Sequence, residues 1–317
     1  LQLKKKNKNI IKFILKFIFG FSLIAFLLTY KTSITEILDV LKRADPIWLL
    51  ASFLLHGVGL LISALRWQIL IKAQGDHARL SFLAKSYLVG AFFNNFLPSR
   101  IGGDISRIRD GSRYSQTLLK SSAIILVERL SGIIILLVFA SVASFFRISI
   151  AQDIPVVWIS LLLGLLGLLM ISIFFTPFTD RLIRKIPDKK HLTKIKSKIF
   201  DFKNIILQYK DKKIALVKTL FWAFLLQVNV ILHFFLIGKA LHLQIQFFDY
   251  FIFIPIVLLI QLIPITINGL GLREGSYIEI FEFYGVAPGA AFSFAFIDVA
   301  FMLIIGLAGG IVYVTRK

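Results

Sequence analysis

Seven ionisable residues stand in or beside apolar segments of this sequence: Asp104, Arg107, Glu128, Arg129, Arg273, Glu274 and Asp298. An isolated charge at the centre of a membrane helix costs about 2.5–3.5 kcal/mol on insertion scales. These groups must therefore pair, line water or hold a charged ligand. Four of them fall in two related stretches. The first runs from Phe92 as an apolar segment through Asn94 and Asn95, breaks at Pro98, passes Gly102-Gly103 and resumes with Asp104 and Arg107. The second breaks at Pro264, passes Asn268, Gly269 and Gly271 and resumes with Arg273 and Glu274. With proline set on proline, Asn95 falls on Gln261, Gly103 on Gly269 and Arg107 on Arg273 without a gap. Glycines let the backbone approach a ligand closely. The free N–H groups at a helix start favour anions such as phosphate, and an arginine about one turn further on offers a bidentate fork. The chemistry these residues suit is binding of a lipid phosphate headgroup. Arg107 and Arg273 are the candidate anion pair, with Glu128 and Asp298 setting the polarity of the cavity.

Such residues need elements to hold them. The chain of 317 residues is 57% hydrophobic with a mean hydropathy of +0.83, where soluble domains are about 45–50% apolar. The apolar residues come in long runs rather than in alternating ~10-residue segments, which points to an all-α polytopic membrane protein. Six full spans are expected, at about residues 10–30, 46–71, 118–146, 155–175, 214–241 and 288–314. The first proline-broken stretch, 80–97, is only 18 residues long, and arginines follow it. A full crossing would place those arginines outside, against the positive-inside tendency. A re-entrant hairpin resolves the conflict, and a second one follows from the downstream stretch. Span–hairpin–span then occurs twice with opposite orientation. Two broken segments in corresponding places of two halves point to a binding site between them.

The net charge of +20 sits at the ends of apolar runs and reads as positive-inside patterning, not as a nucleic-acid footprint. Both termini are expected in the cytoplasm, with 31–45 and 147–154 as outside loops. Residues 178–213 carry twelve Lys and Arg. Leu192, Ile195, Ile199, Phe202, Ile206 and Tyr209 form a three-and-four stripe within that loop. It predicts either a helix lying on an anionic leaflet or a connecting helix packed on the protein. There are no cysteines, so thiolate metal and redox sites are excluded. The five histidines show no metal-ligand spacing, and His56 within a span reads as a packed polar contact. No cofactor is implied.

Asn-Asn-Phe-Leu-Pro-x-x-x-Gly-Gly-Asp-x-x-Arg at 94–107, Glu-Arg-Leu at 128–130 and Pro-Ile-Thr-x-Asn-Gly-x-Gly-x-Arg-Glu at 264–274 occur in order. Together they resemble the lysylphosphatidylglycerol synthase transmembrane-region family, also described as flippase-like integral membrane proteins, over about residues 10–315. The resemblance implies one eight-segment domain over 1–317 that translocates lipids in a prokaryotic cytoplasmic membrane. Its partners would be anionic or phosphate-bearing lipids. The chain ends directly after its last apolar run, so the soluble aminoacyl-transferase domain of the fused relatives is not expected, nor is enzymatic activity. The competing expectations are a membrane enzyme acting on a lipid-linked substrate through Asp104, Glu128 and Glu274, and an accessory subunit of a separate lipid-modifying transferase docked on 178–213.

The charge pattern makes a topological prediction. A Lys190→Cys protein has no background cysteine, and an impermeant maleimide should label it only after the cells are opened. Labelling in intact cells would reverse the orientation.

Overall fold

Inside lipid only a helix satisfies its own backbone N–H and C=O groups without a neighbouring strand, and long apolar runs fold accordingly. The computed structural model describes residues 2–96, 101–146, 155–174, 176–185, 190–262, 265–266 and 268–316. Among them the regular elements are helices, with no strand. In chain order they are α1 (Gln2–Tyr30), α2 (Ile34–Lys42), α3 (Pro46–Ala73), α4 (Leu80–Phe96), α5 (Ile101–Ser115), α6 (Leu118–Phe146), α7 (Pro155–Phe174), α8 (Pro177–Arg184), α9 (Lys190–Leu207), α10 (Lys213–Ala240), α11 (Tyr250–Ile260), α12 (Leu272–Glu282) and α13 (Pro288–Thr315).

Helices α3, α6, α10 and α13 are each long and apolar enough to cross a membrane. The count rises to as many as six only when bent pairs are taken as single spans, among them Leu15–Tyr30 with α2, which meet at 84°. Residues 31–45, expected as a loop, contain α2. Ile37, Val40 and Leu41 recur at helical spacing and pack into the core, while Asp39 and Lys42 are exposed. Ser33 caps the helix by accepting from the Glu36 N–H. The Glu36 carboxylate in turn accepts from Gly289 N at 3.1 Å, which satisfies a free donor at the start of α13.

Both hairpins are present. Helices α4 and α5 have 17 and 15 residues, about 26 and 23 Å at 1.5 Å per residue, short of the ~30 Å hydrocarbon layer. They run antiparallel, with Ser86 Oγ donating to Asp110 at 2.7 Å and Gly103 N to Asn94 Oδ1 at 2.8 Å. Gly103 passes so close to the Gly90 carbonyl that a Cβ has no room. Helices α11 and α12 form the second hairpin, with Phe253 against Phe281 at 5.0 Å. The expected breaks at Pro98 and Pro264 lie outside the described residues.

The two halves match in length and order. Helices α3 and α10 each have 28 residues, and α6 and α13 have 29 and 28. The mates α3 and α10 pack side by side and antiparallel. Contacts pass from Asp45 N to Ala240 O at 2.9 Å, through Ser52 with His233 and Leu55 O with Asn229, to Lys212 on the Ala73 carbonyl. Repeat-related helices that run in opposite directions make the repeat inverted. The first leg of each hairpin packs on the last long helix of the other half. Helix α4 seats on α13, where Asn95 Nδ2 donates to Met302 O at 2.6 Å. Helix α11 seats on α6, with Phe251 against Phe139 at 5.4 Å.

The basic stretch 178–213 holds α8 and α9. Its distal end packs on the protein: Tyr209 is buried and donates to Leu70 O at 2.9 Å. The buried Lys203 reaches Thr176 O at 2.8 Å and Asp180 at 2.6 Å.

Glycine contacts generate a stability prediction. A Cβ at Gly309 would strike the Leu88 carbonyl across α4 and α13, and one at Gly103 the Gly90 carbonyl, whereas one at Gly57 meets nothing within 4 Å. Overpacking of this kind costs about 1–3 kcal/mol. Gly309→Ala and Gly103→Ala should lower the melting temperature in detergent, while Gly57→Ala should leave it unchanged or raise it slightly. Equal melting of all three would contradict the close approach.

Candidate functional site

The ionisable residues gather into two clusters, one per half. In the first, Arg107 on α5 is buried and donates to the Glu128 carboxylate on α6. Its guanidinium lies over the rings of Tyr87 at 3.8 Å and Trp67 at 4.7 Å. Tyr87 donates its hydroxyl to the other Glu128 oxygen. Asp104, one turn before Arg107, meets Arg129 at 2.5 Å and Arg107 at 3.7 Å. Arg66 on α3 closes the cluster, donating to Glu128 O at 2.7 Å and Ser131 Oγ at 2.8 Å. The neighbours Glu128 and Arg129 thus serve different partners, since successive helix positions project about 100° apart.

In the second cluster, Arg273 on α12 is 2% exposed. It meets its own neighbour Glu274 at 2.7 and 3.1 Å and Asp298 on α13 at 3.5 Å. The pairing of adjacent residues is possible because Glu274 sits in the first helical turn and folds back to accept from Gly271 N at 2.7 Å. Gly271 and Gly269 have φ of 77° and 80°, and Asn268 has 54°, the left-handed region that glycine and asparagine tolerate best. On the far side of Asp298 stand His233 from α10 at 3.3 Å and His56 from α3 at 3.9 Å.

A cavity of about 480 Å³ lies between the clusters, where the two halves meet. The first half lines it with Asn94, Asn95 and Arg129, and the second with Asn229, Gln261, Asn268, His233 and Asp298. A smaller cavity of about 310 Å³ reaches Asp104, Arg107 and Glu128. Of the residues expected from sequence, Asn94, Asn95, Asn268 and Asp298 meet at the central cavity, and Asp104, Arg107 and Glu128 meet beside it. Gly103, Gly269 and Gly271 shape backbone turns and close approaches. Gly102 faces a separate basic cleft with Lys85, Arg109, Arg113 and Arg316. Arg273 and Glu274 are buried against each other, and Pro98 lies outside the described residues.

Arg129, named among the charged residues of the sequence but not assigned to the headgroup site, has a side chain that is 40% exposed and reaches the central cavity. Its signal was its place in Glu-Arg-Leu, next to an acid it does not pair with. The histidines had no signal, because 177 residues separate His56 from His233 in the sequence while their rings lie 4.3 Å apart. The clusters differ in charge. Arg66, Arg107 and Arg129 face Asp104 and Glu128, leaving one positive charge uncompensated. Arg273 faces Glu274 and Asp298, leaving one negative.

Residues 13–310 match the family model described as lysylphosphatidylglycerol synthase TM region. A UPF0104 membrane protein of Pyrococcus horikoshii is 25% identical, the match covering 95% of this chain and 96% of that protein. A UPF0104 membrane protein of Methanothermobacter thermautotrophicus is 23% identical over 81% of each chain. No solved structure matches.

The burial of the pairs sets an expectation for stability. Removing one partner of a buried ion pair costs about 3–5 kcal/mol, because the other charge is left alone. Arg107→Ala should therefore unfold in detergent at markedly lower temperature. Arg129→Gln, at a half-exposed pair worth about 0–1 kcal/mol, should melt near the wild type. Similar melting of both would mean that water reaches Arg107 freely.

Proposed function

The chain belongs to the lysylphosphatidylglycerol synthase TM-region family, and from that premise we propose that it moves a phosphate-bearing lipid between the leaflets of a prokaryotic cytoplasmic membrane. The observation that carries this reading is the cavity at the seam of an inverted repeat, polar where both hairpins and Arg129 reach it and apolar elsewhere along its wall. A headgroup needs polar contacts and its acyl chains do not. The uncompensated positive charge of the first cluster suits the phosphate, with Arg129 as its nearest fork and Asn94, Asn95 and Asn268 as hydrogen-bonding neighbours. Arg107 and Arg273 shape the field from behind their carboxylates.

The carboxylates that an enzymatic reading would use as acids, Asp104, Glu128 and Glu274, are each held by an arginine. That arrangement favours binding and release over proton transfer. The lipids of the membrane are the partners this reading requires, and both termini lie in the cytoplasm in the matching orientation.

Proteoliposomes with a fluorescent phospholipid in both leaflets test the reading. Added dithionite should quench the inner-leaflet fraction faster with protein than without. Arg129→Gln should slow the exchange, and so should Arg107→Lys and Arg273→Lys, which keep the charge but lose the planar fork. Wild-type exchange in all three, at matched incorporation, would remove the central cavity as the headgroup site.

A further inference from the structure

Asp298 lies between two imidazoles, and the contacts around His233 suit a proton on the nitrogen that faces away from it. His233 Nδ1 is 2.7 Å from Ser52 Oγ and 3.1 Å from the Ser52 carbonyl oxygen. The carbonyl accepts only, and the Ser52 hydroxyl proton is used on the His233 carbonyl at 2.9 Å. This arrangement is satisfied with the N–H on Nδ1, and in that neutral tautomer Nε2 presents a lone pair. That lone pair faces Asp298 Oδ1 at 3.3 Å. In that tautomer two acceptors face one another, and a cation between them satisfies both. A proton would serve this pair alone. It would leave His56 Nε2, 3.9 Å from the same carboxylate oxygen, buried with no hydrogen-bond partner.

We propose that His56, His233 and Asp298 form a binding site for a divalent first-row transition ion of the zinc class. Their ligand atoms lie within 4.8 Å of one another. A tetrahedral site with bonds of about 2.0–2.1 Å has ligand–ligand edges of roughly 3.3–3.4 Å. The His233–Asp298 separation already has that length, the His56–Asp298 edge of 3.9 Å must close by about half an ångström, and the His56–His233 edge, within 4.8 Å, by up to about 1.4 Å. Two imidazoles with one carboxylate select zinc-like ions over magnesium or calcium, which prefer all-oxygen shells. The surroundings supply the outer contacts that ligands need. Ser52 orients His233 through Nδ1, and Arg273 holds the second Asp298 oxygen at 3.5 Å. The ion also answers the uncompensated negative charge of Glu274 and Asp298. All three ligands line the central cavity, so the fourth coordination position opens onto it.

The site is independent of lipid movement, and so is its test. The full chain, purified in detergent with a tag free of histidine and stripped with chelator, is titrated with Co²⁺. Saturable d–d absorption at one ion per chain, displaced by Zn²⁺, is the expected result. His56→Ala should weaken binding by at least about 10-fold, in line with losses seen at supporting residues of metal sites. Because His56 Nε2 has no hydrogen-bond partner to lose, this variant should elute and melt as the wild type does. His233→Gln should weaken binding similarly. If it fails to fold, His56→Ala decides alone. Absence of saturable Co²⁺ and Zn²⁺ binding would overturn the site and leave a proton as the occupant. Unchanged affinity in a well-folded His56→Ala would overturn it too.

Discussion

The low dielectric of a membrane interior governs this molecule, because it forbids both unpaired charge and unpaired backbone. Each hairpin starts a second helix whose first N–H groups have no partner within it, and lipid cannot satisfy them. The chain answers with its own side chains: Asn94 accepts from Gly103 N, and Glu274 accepts from Gly271 N. Once placed there, Glu274 is a buried anion and requires Arg273. Asp104 likewise requires Arg107 and Arg129. The polar constellation is thus a consequence of breaking the helices, and it ties each second half-helix to the long helix that follows it. Arg107 joins α5 to α6, and Arg273 joins α12 to α13.

The inverted repeat keeps this framework and changes its chemistry. Counted from the first residues of α3 and α10, Arg66 and His233 occupy the same position, as do Trp67 and Phe234. In the first half the pair is a guanidinium on Ser131 and an indole over which Arg107 stacks. In the second it is an imidazole on Asp298 and a phenyl ring 6.1 Å from Tyr277. The exchange of arginine for histidine removes one positive charge, and Val299 at the position of Arg129 removes a second, so a cation-rich cluster becomes an anion-rich one. The cross-half seams differ as well. Gly306, Gly309 and Gly310 let α13 approach α4 closely, Gly309 against the Leu88 carbonyl and Gly306 and Gly310 against the side chains of Asn95 and Phe92, whereas α6 and α11 meet through phenylalanines.

Those features were unequally legible in the sequence. The four long helices, the two broken segments and the match of Arg107 with Arg273 follow from local signals, namely apolar length, glycine and proline placement, and charge at helix ends. Helix α2 was hidden because its nine residues mix both charges and are too short for hydropathy to register, although Ile37, Val40 and Leu41 keep helical spacing. The partners of Glu128 were hidden for a different reason. Arg66 and Tyr87 come from other helices, and only tertiary packing tells which face of a span turns toward which neighbour. The same holds for the meeting of His56, His233 and Asp298: the charge of Asp298 stands out within its apolar run, but nothing in the sequence brings the two histidines to it.

Burial also ranks the arginines as ligands for an anion. A phosphate that displaced Glu128 from Arg107 would leave a carboxylate unpaired in a dry site, and removing one partner from such a pair costs about 3–5 kcal/mol. It would also have to part Arg107 from the rings of Trp67 and Tyr87 that cover it. Arg273 is held more tightly still, between two carboxylates and 2% exposed. Arg129 faces no such obstacle. Its side chain is 40% exposed, it already touches the central cavity, and its partner Asp104 keeps Arg107 at 3.7 Å if Arg129 turns away. The arginine that reaches outward is the one whose departure leaves no charge alone. Arg107 and Arg273 stay fixed because the hairpins depend on them.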